Sequence, residues 1–199
     1  MATQYHNLSN YDPDLMPEKD IVATQKYAIA VAEWNPDITE ALLDGTVNTL
    51  IENGVTTNNI TIVHVPGTFE LTFAAKRMYE DYTINEKNEK AHKYAAIIVL
   101  GCVVQGETPH FNYVCQAVTA GVTELNTRPD GCPVIFGVLT TNTLQQAKDR
   151  SGGIHGNKGD EAAITAIKTM KLKKLRSVAA HSGRSQAKAP GESMYLYNK

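Results

Sequence analysis

At 199 residues and 42% hydrophobic content, the chain has enough apolar material for one sizeable core and too little length for two ordinary domains. A net charge of −2 gives no electrostatic reason to expect nucleic acid or an anionic membrane as partner. The three cysteines, Cys102, Cys115 and Cys132, show no CxxC or Cys/His spacing, and read as free thiols of a reducing compartment, not as zinc ligands.

Residues 1–24 are polar, carry Pro13 and Pro17 and show no periodicity, so they read as an N-terminal arm. They contain acids and no apolar stretch of the signal-peptide kind. The longest apolar run, at 95–104, falls well short of the ~20 residues that span a bilayer. A cytoplasmic, soluble protein is the expectation.

One α/β domain is expected over 25–176. Its first strand, 26–33, ends in Trp34-Asn35-Pro36, and Asp37 is expected to cap a helix to about residue 53, with Ile38, Leu42, Leu43, Val47 and Leu50 at helical spacing. Gly54 stops it. The second strand, 60–65, breaks at Pro66-Gly67, and Thr68 is expected to cap a helix to about 79. Residues 82–93 are charged and Asn-rich and read as a surface loop. The third strand, 95–104, runs into Gln105-Gly106-Glu107, after which Thr108-Pro109 opens a helix to about 125. After turn chemistry at 126–131 comes a fourth strand, 132–140. Two helical stretches, 144–150 and 157–172, flank the glycine-rich SGGIHG. The basic remainder, 177–199, reads either as a solvated, disordered tail or as a partner-binding one.

Strand and helix thus alternate four times, and the strands are continuous apolar runs. Such strands are buried on both faces, which predicts a four-stranded parallel sheet between two helix layers, a flavodoxin-like three-layer sandwich. Ligands of such sheets bind at the carboxyl ends of the strands. Those ends carry Trp34 and Asn35; then Thr68, Phe69 and Glu70; then Gly106, Glu107, Thr108 and His110; and a fourth end leading toward Arg150 and Lys158. Singly, each has an ordinary reading: a ring plugging the sheet end, a first-turn acid favoured by the helix dipole, a surface histidine, a solvated lysine. Together they describe a rim with an aromatic plate, an anion seat at a helix N-terminus, a carboxylate, an imidazole and two cations. There is no GxxxxGK[ST], GxGxxG or GxSxG motif and no metal-ligand cluster.

LGCVVQGETPHFNYVC at 100–115, VPGTFEL at 65–71, VIFGVLTTNT at 134–143 and DRSGGIHGNKGDEAA at 149–163 resemble the 6,7-dimethyl-8-ribityllumazine synthase family of riboflavin biosynthesis. The resemblance spans roughly residues 26–172. It implies a transferase that condenses 5-amino-6-(D-ribitylamino)uracil with 3,4-dihydroxy-2-butanone 4-phosphate through a Schiff base, releasing phosphate and water. No metal or redox cofactor is implied. Trp34 matches the ring that stacks on the pyrimidine, where Phe is commoner, and Asn35 follows it. Thr68, Phe69 and Glu70 match the pyrimidine- and ribityl-binding segment, and Cys102, Val103 and Val104 its other wall. Gly106, Glu107 and Thr108 match the phosphate-side loop, and His110 the proton donor and acceptor. Phe136, Arg150 (the phosphate clamp) and Lys158 match residues supplied by a neighbouring subunit.

The resemblance further implies a homo-pentamer. The length of the glycine-rich linker matches members that assemble sixty subunits into an icosahedral shell, with riboflavin synthase as a possible packaged partner. Two departures stand out. Gln105 occupies a position usually held by Arg or Lys, which removes a cation beside the phosphate. Ile154 and His155 replace the more usual Lys and Ala. The competing reading is a non-catalytic flavin-binding or shell-forming member of the same fold.

Overall fold

The computed structural model describes residues 11–84, 88, 90–129 and 131–172. Its elements in chain order are α1 (Lys19–Ala23), β1 (Tyr27–Ala32), α2 (Pro36–Glu52), β2 (Ile60–Val65), α3 (Leu71–Tyr79), β3 (Tyr82–Ile84), β4 (Lys90–His92) and β5 (Ala96–Val104), followed by α4 (His110–Asn126), β6 (Val134–Thr141), α5 (Leu144–Asp149), β7 (Ser151–Gly153), β8 (Gly156–Asn157) and α6 (Lys158–Thr169). The main sheet is parallel throughout, in the order β2-β1-β5-β6, with helices on both faces. This is the expected α/β sandwich.

Alternation along the strands divides the core in two. Ile29 and Val31 of β1, with Ile98 and Leu100 of β5, pack against α2 and α6. Ala28, Ala30 and Ala32, with Ile97 and Val99, pack against α3 and α4. All of these strand residues are fully buried, each large one contributing about 1.5–3 kcal/mol of burial. The first layer is tightly closed: a Cβ on Gly159 would collide with the Leu42 carbonyl oxygen, so only glycine lets α6 lie this close to α2.

Several expected boundaries shift. Asp37 does not cap α2; the chain turns at Asn35 (φ 63°, ψ 57°) and Pro36 is the first helical residue. Asparagine tolerates this left-handed conformation, and its side-chain amide donates to the Cys102 carbonyl at 3.1 Å. Thr68 and Thr108 do not cap helices either. Thr68 opens a 3-10 turn, Thr68–Glu70, ahead of α3, and α4 starts at His110 behind Pro109 with no side-chain cap.

The stretch expected to be a surface loop contains the antiparallel hairpin β3–β4, with Tyr82 paired to His92 and Ile84 to Lys90. Its charges are used locally: Lys93 bonds Asp81 at 2.8 Å and Lys90 lies 3.8 Å over the Tyr82 ring. The glycine-rich linker is also a hairpin, β7–β8.

Of the arm, residues 11–24 are tied to the domain. Pro17 and Val22 are buried, and Asn59 donates to the Ala23 carbonyl at 2.9 Å. Residues 1–10 and the tail 177–199 lie outside the described residues. Among the described residues, no helix is long and apolar enough to cross a membrane.

Candidate active site

Three strand ends converge on one cavity of about 700 Å³. The end of β1 supplies Trp34 and Asn35. The turn after β2 supplies Gly67, Thr68, Phe69 and Glu70. The end of β5 supplies Cys102, Val103 and Val104, and the following loop and first turns of α4 add Gly106, Thr108, His110, Phe111 and Val114.

The Cys102 carbonyl pins this arrangement together. It accepts from the Asn35 amide at 3.1 Å and from the Thr68 hydroxyl at 3.5 Å, joining the ends of β1 and β2 to β5. Gly101, just before it, is required by the same contact, since a Cβ there would lie 2.8 Å from the Thr68 Oγ1 and 2.9 Å from Leu71. The site is therefore tied to the backbone of a central strand and does not rest on loops alone.

Two rings stand open at the mouth: Trp34 is 71% exposed and Phe69 56%. Large aromatics left this bare at the end of a packed sheet offer flat apolar faces to a planar ligand or a partner. On the other side, α4 begins without a side-chain cap, so its first-turn N–H groups and dipole favour an anion there. His110 stands in that same turn and Glu70 faces in from the β2 side, giving the cavity an imidazole and a carboxylate. Burial in the core beneath α2 and α6 pushes the Cys102 thiol up to about 11, so it is a protonated, unreactive group at neutral pH.

The remaining candidates lie elsewhere in the chain. Glu107 is exposed beside the cavity without lining it. Phe136 packs, half-buried, on the core between the sheet and α3–α4. Arg150 and Lys158 are on the α6 side, where both bond the buried carboxylate of Glu161, at 2.7 and 3.0 Å. Within one chain, then, the cavity is lined from three strand ends, and Phe136, Arg150 and Lys158, the residues expected from a neighbouring subunit, do not line it.

Sequence reasoning passed over Gly67, Phe111, Val114 and Glu161. Phe111 and Val114 follow His110 by one and four positions, a helical phase that identifies the face of α4 turned to the cavity.

A second cavity, of about 550 Å³, lies beside the β3–β4 hairpin. Its polar groups are largely committed: both ends of the Asn126 amide bond the Val134 backbone at 2.8 Å, and Lys90 sits on Tyr82. The strand-end cavity is the better candidate. Among the described residues, no group of three or more His, Cys, Asp or Glu side chains is placed to hold a metal ion.

The family model for 6,7-dimethyl-8-ribityllumazine synthase matches residues 24–174. The chain belongs to the 6,7-dimethyl-8-ribityllumazine synthase family. Similar curated proteins carrying that name include one from Porphyromonas gingivalis, 52% identical over 177 residues, covering 88% of this chain and all of the relative. Another, from Parabacteroides distasonis, is 54% identical over 168 residues, covering 84% of this chain and 96% of the relative. A third, from Bacteroides fragilis, is 54% identical over 143 residues, covering 72% and 92%. Family, fold and enzyme class therefore agree with the reading of the motifs. The non-catalytic alternative gains no support from relatives that all bear the synthase's name.

Proposed function

We propose that the strand-end cavity is the substrate site for the reaction of this family, the condensation of 5-amino-6-(D-ribitylamino)uracil with 3,4-dihydroxy-2-butanone 4-phosphate to 6,7-dimethyl-8-ribityllumazine. The pyrimidine stacks on Trp34, and Thr68, Phe69 and Glu70 hold it and its ribityl chain, opposite the wall of Cys102, Val103 and Val104. The ketone phosphate sits at the N-terminus of α4, with Gly106, Glu107 and Thr108 around it. The amine attacks the ketone and water leaves as the Schiff base forms. Phosphate is then eliminated, and ring closure with loss of water gives the product. His110 gives and takes protons at the phosphate-bearing end.

The observation that carries this reading is the split itself. One chain brings the ring-binding and anion-binding groups to the cavity, while Phe136, Arg150 and Lys158 do not line it. A neighbouring copy supplies those three, with Arg150 as the phosphate clamp, a role suited to a guanidinium fork. Exposed aromatics beyond the cavity, Phe73 on α3 and Tyr113 on α4, 69% and 68% exposed, support burial against such a neighbour. The assembly we infer is a pentamer, built up to a sixty-subunit shell in the cytoplasm, with riboflavin synthase a candidate cargo.

Positioning dominates the rate in this scheme. Holding two reactants in attack geometry supplies roughly 7–11 kcal/mol, whereas acid–base catalysis gives ~10²–10⁴-fold. The direct test mixes purified protein with both substrates and follows the visible absorbance of the lumazine. Product no faster than the spontaneous reaction overturns the enzymatic reading. Mixing Trp34→Ala chains with Arg150→Ala chains, unfolding and reassembling them together, tests the sharing. Activity above either parent supports a site between chains; none places the whole site within one.

A further inference from the structure

We propose that Glu161 is a positioning residue that aims the Arg150 guanidinium at the phosphate; this rests on the reading of Arg150 as the phosphate clamp. Glu161 lies in the first turn of α6 and is 5% exposed. One carboxylate oxygen accepts from Arg150 Nη2 at 2.7 Å and the other from Lys158 Nζ at 3.0 Å. Arg150 Nη1 also donates to the His155 carbonyl at 2.6 Å. The fork is thus fastened at two points on two elements, the turn of the β7–β8 hairpin and the first turn of α6.

A guanidinium has five N–H donors. These two bonds take one from each terminal nitrogen and leave three, including Nε–H, for a further acceptor. The side chain of Arg150 is 16% exposed and that of Lys158 29%, so both cations are held at the surface's edge and neither is free to roam in solvent. The three charges together leave a net +1, carried by a group whose orientation is already fixed. Pre-fixing the donor removes an entropy cost from ligand binding.

Charge and orientation predict opposite results when this carboxylate is neutralised. Glu161→Gln keeps the shape and one acceptor but raises the local charge by one. Charge acting alone would tighten binding of the phosphorylated substrate. Loss of orientation weakens it.

The experiment measures kcat, KM for each substrate, and inhibition by inorganic phosphate in assembled wild type, Glu161→Gln, Glu161→Ala and Arg150→Ala, with size and melting temperature recorded for each. The expected result for Glu161→Gln is a KM for the phosphorylated ketone raised roughly 10-fold, a similar weakening of phosphate inhibition, and a KM for the pyrimidine within about 2-fold of wild type. Glu161→Ala goes further in the same direction; should it fail to assemble, the isosteric Gln variant decides. An unchanged or lowered ketone-phosphate KM in Glu161→Gln overturns the inference, as does an equal rise for both substrates, which marks a merely structural role. If Arg150→Ala itself leaves the ketone-phosphate KM unchanged, it is the clamp reading that fails.

Discussion

The two helix layers of this sheet are built to different ends. The layer of α2 and α6 is closed. Gly159 lets backbone meet backbone, Leu42 and Leu50 are fully buried, and the cations Arg150 and Lys158 are fastened to Glu161. The layer of α3 and α4 is open at its carboxyl end, where Trp34 and Phe69 stand bare and the start of α4 is uncapped. The closed layer holds the cations, while the open layer borders the strand-end cavity with neither Arg150 nor Lys158 lining it. Each layer has half of what a phosphate-bearing substrate requires, which is the division that the proposed site between chains would join.

The division between the layers is lost most severely if the closed layer is forced apart. Gly159→Val places branched carbon atoms where the Leu42 carbonyl lies, and should cost about 3 kcal/mol or more, combining overpacking with helix propensity. Urea denaturation should show this loss, and a value within about 0.5 kcal/mol of wild type would mean that α6 can move off α2 freely. The next effect is on the clamp. Arg150→Ala should raise the KM for the phosphorylated ketone roughly 30- to 100-fold, about 2–3 kcal/mol, with the pyrimidine KM little changed. Steady-state kinetics with each substrate varied in turn would show whether the closed layer contributes to phosphate at all.

On the open side, His110→Ala should lower kcat about 100-fold, the low end of what acid–base catalysis supplies, and leave a rate clearly above the spontaneous one, because attack geometry is retained. Complete loss in a folded, assembled variant would mean that proton transfer contributes more to the rate than positioning does.

How much of this division was legible in the sequence depends on the kind of signal. Continuous apolar runs located β1 and β5 to within a residue or so, because burial on both faces writes itself into nearly every position. By contrast, β2 is an edge strand with Ile62, Val63 and His64 exposed, and was bounded by the Pro66-Gly67 break instead. The caps misled. Asp37, Thr68 and Thr108 have the right chemistry, yet the backbone turns earlier, at Asn35, or later, at Pro109, for reasons set by φ and ψ. The β3–β4 hairpin was hidden because its charged residues are paired with one another and with tyrosine rings, which composition alone reads as solvated. Eleven expected residues do line the cavity, since they cluster at strand ends that topology must bring together. Glu161 was missed for the opposite reason: nothing local distinguishes an exposed helix-start acid from one buried under two cations.

Cys102 lies on the seam between the layers, and it carries the smallest predicted effect. Its side chain belongs to the closed core, while its carbonyl fastens the open cavity. Burial raises its thiol from 9.0 to about 11 in the folded chain. The folded state therefore holds this proton more tightly than the unfolded state does. Below about pH 9 both states are protonated and the group has no effect on stability. Between about pH 9 and 11 the unfolded chain releases the proton and the folded chain does not, so stability falls as pH rises, by about 1 kcal/mol from pH 9 to 10. Buried Tyr27, also raised by desolvation, adds to the decline at still higher pH. Urea titrations under reducing conditions at pH 8, 9 and 10 should show the loss in wild type and a shallower one in Cys102→Ala. Equal slopes would mean that water reaches the thiol, and that the seam between the layers is less closed than its geometry indicates.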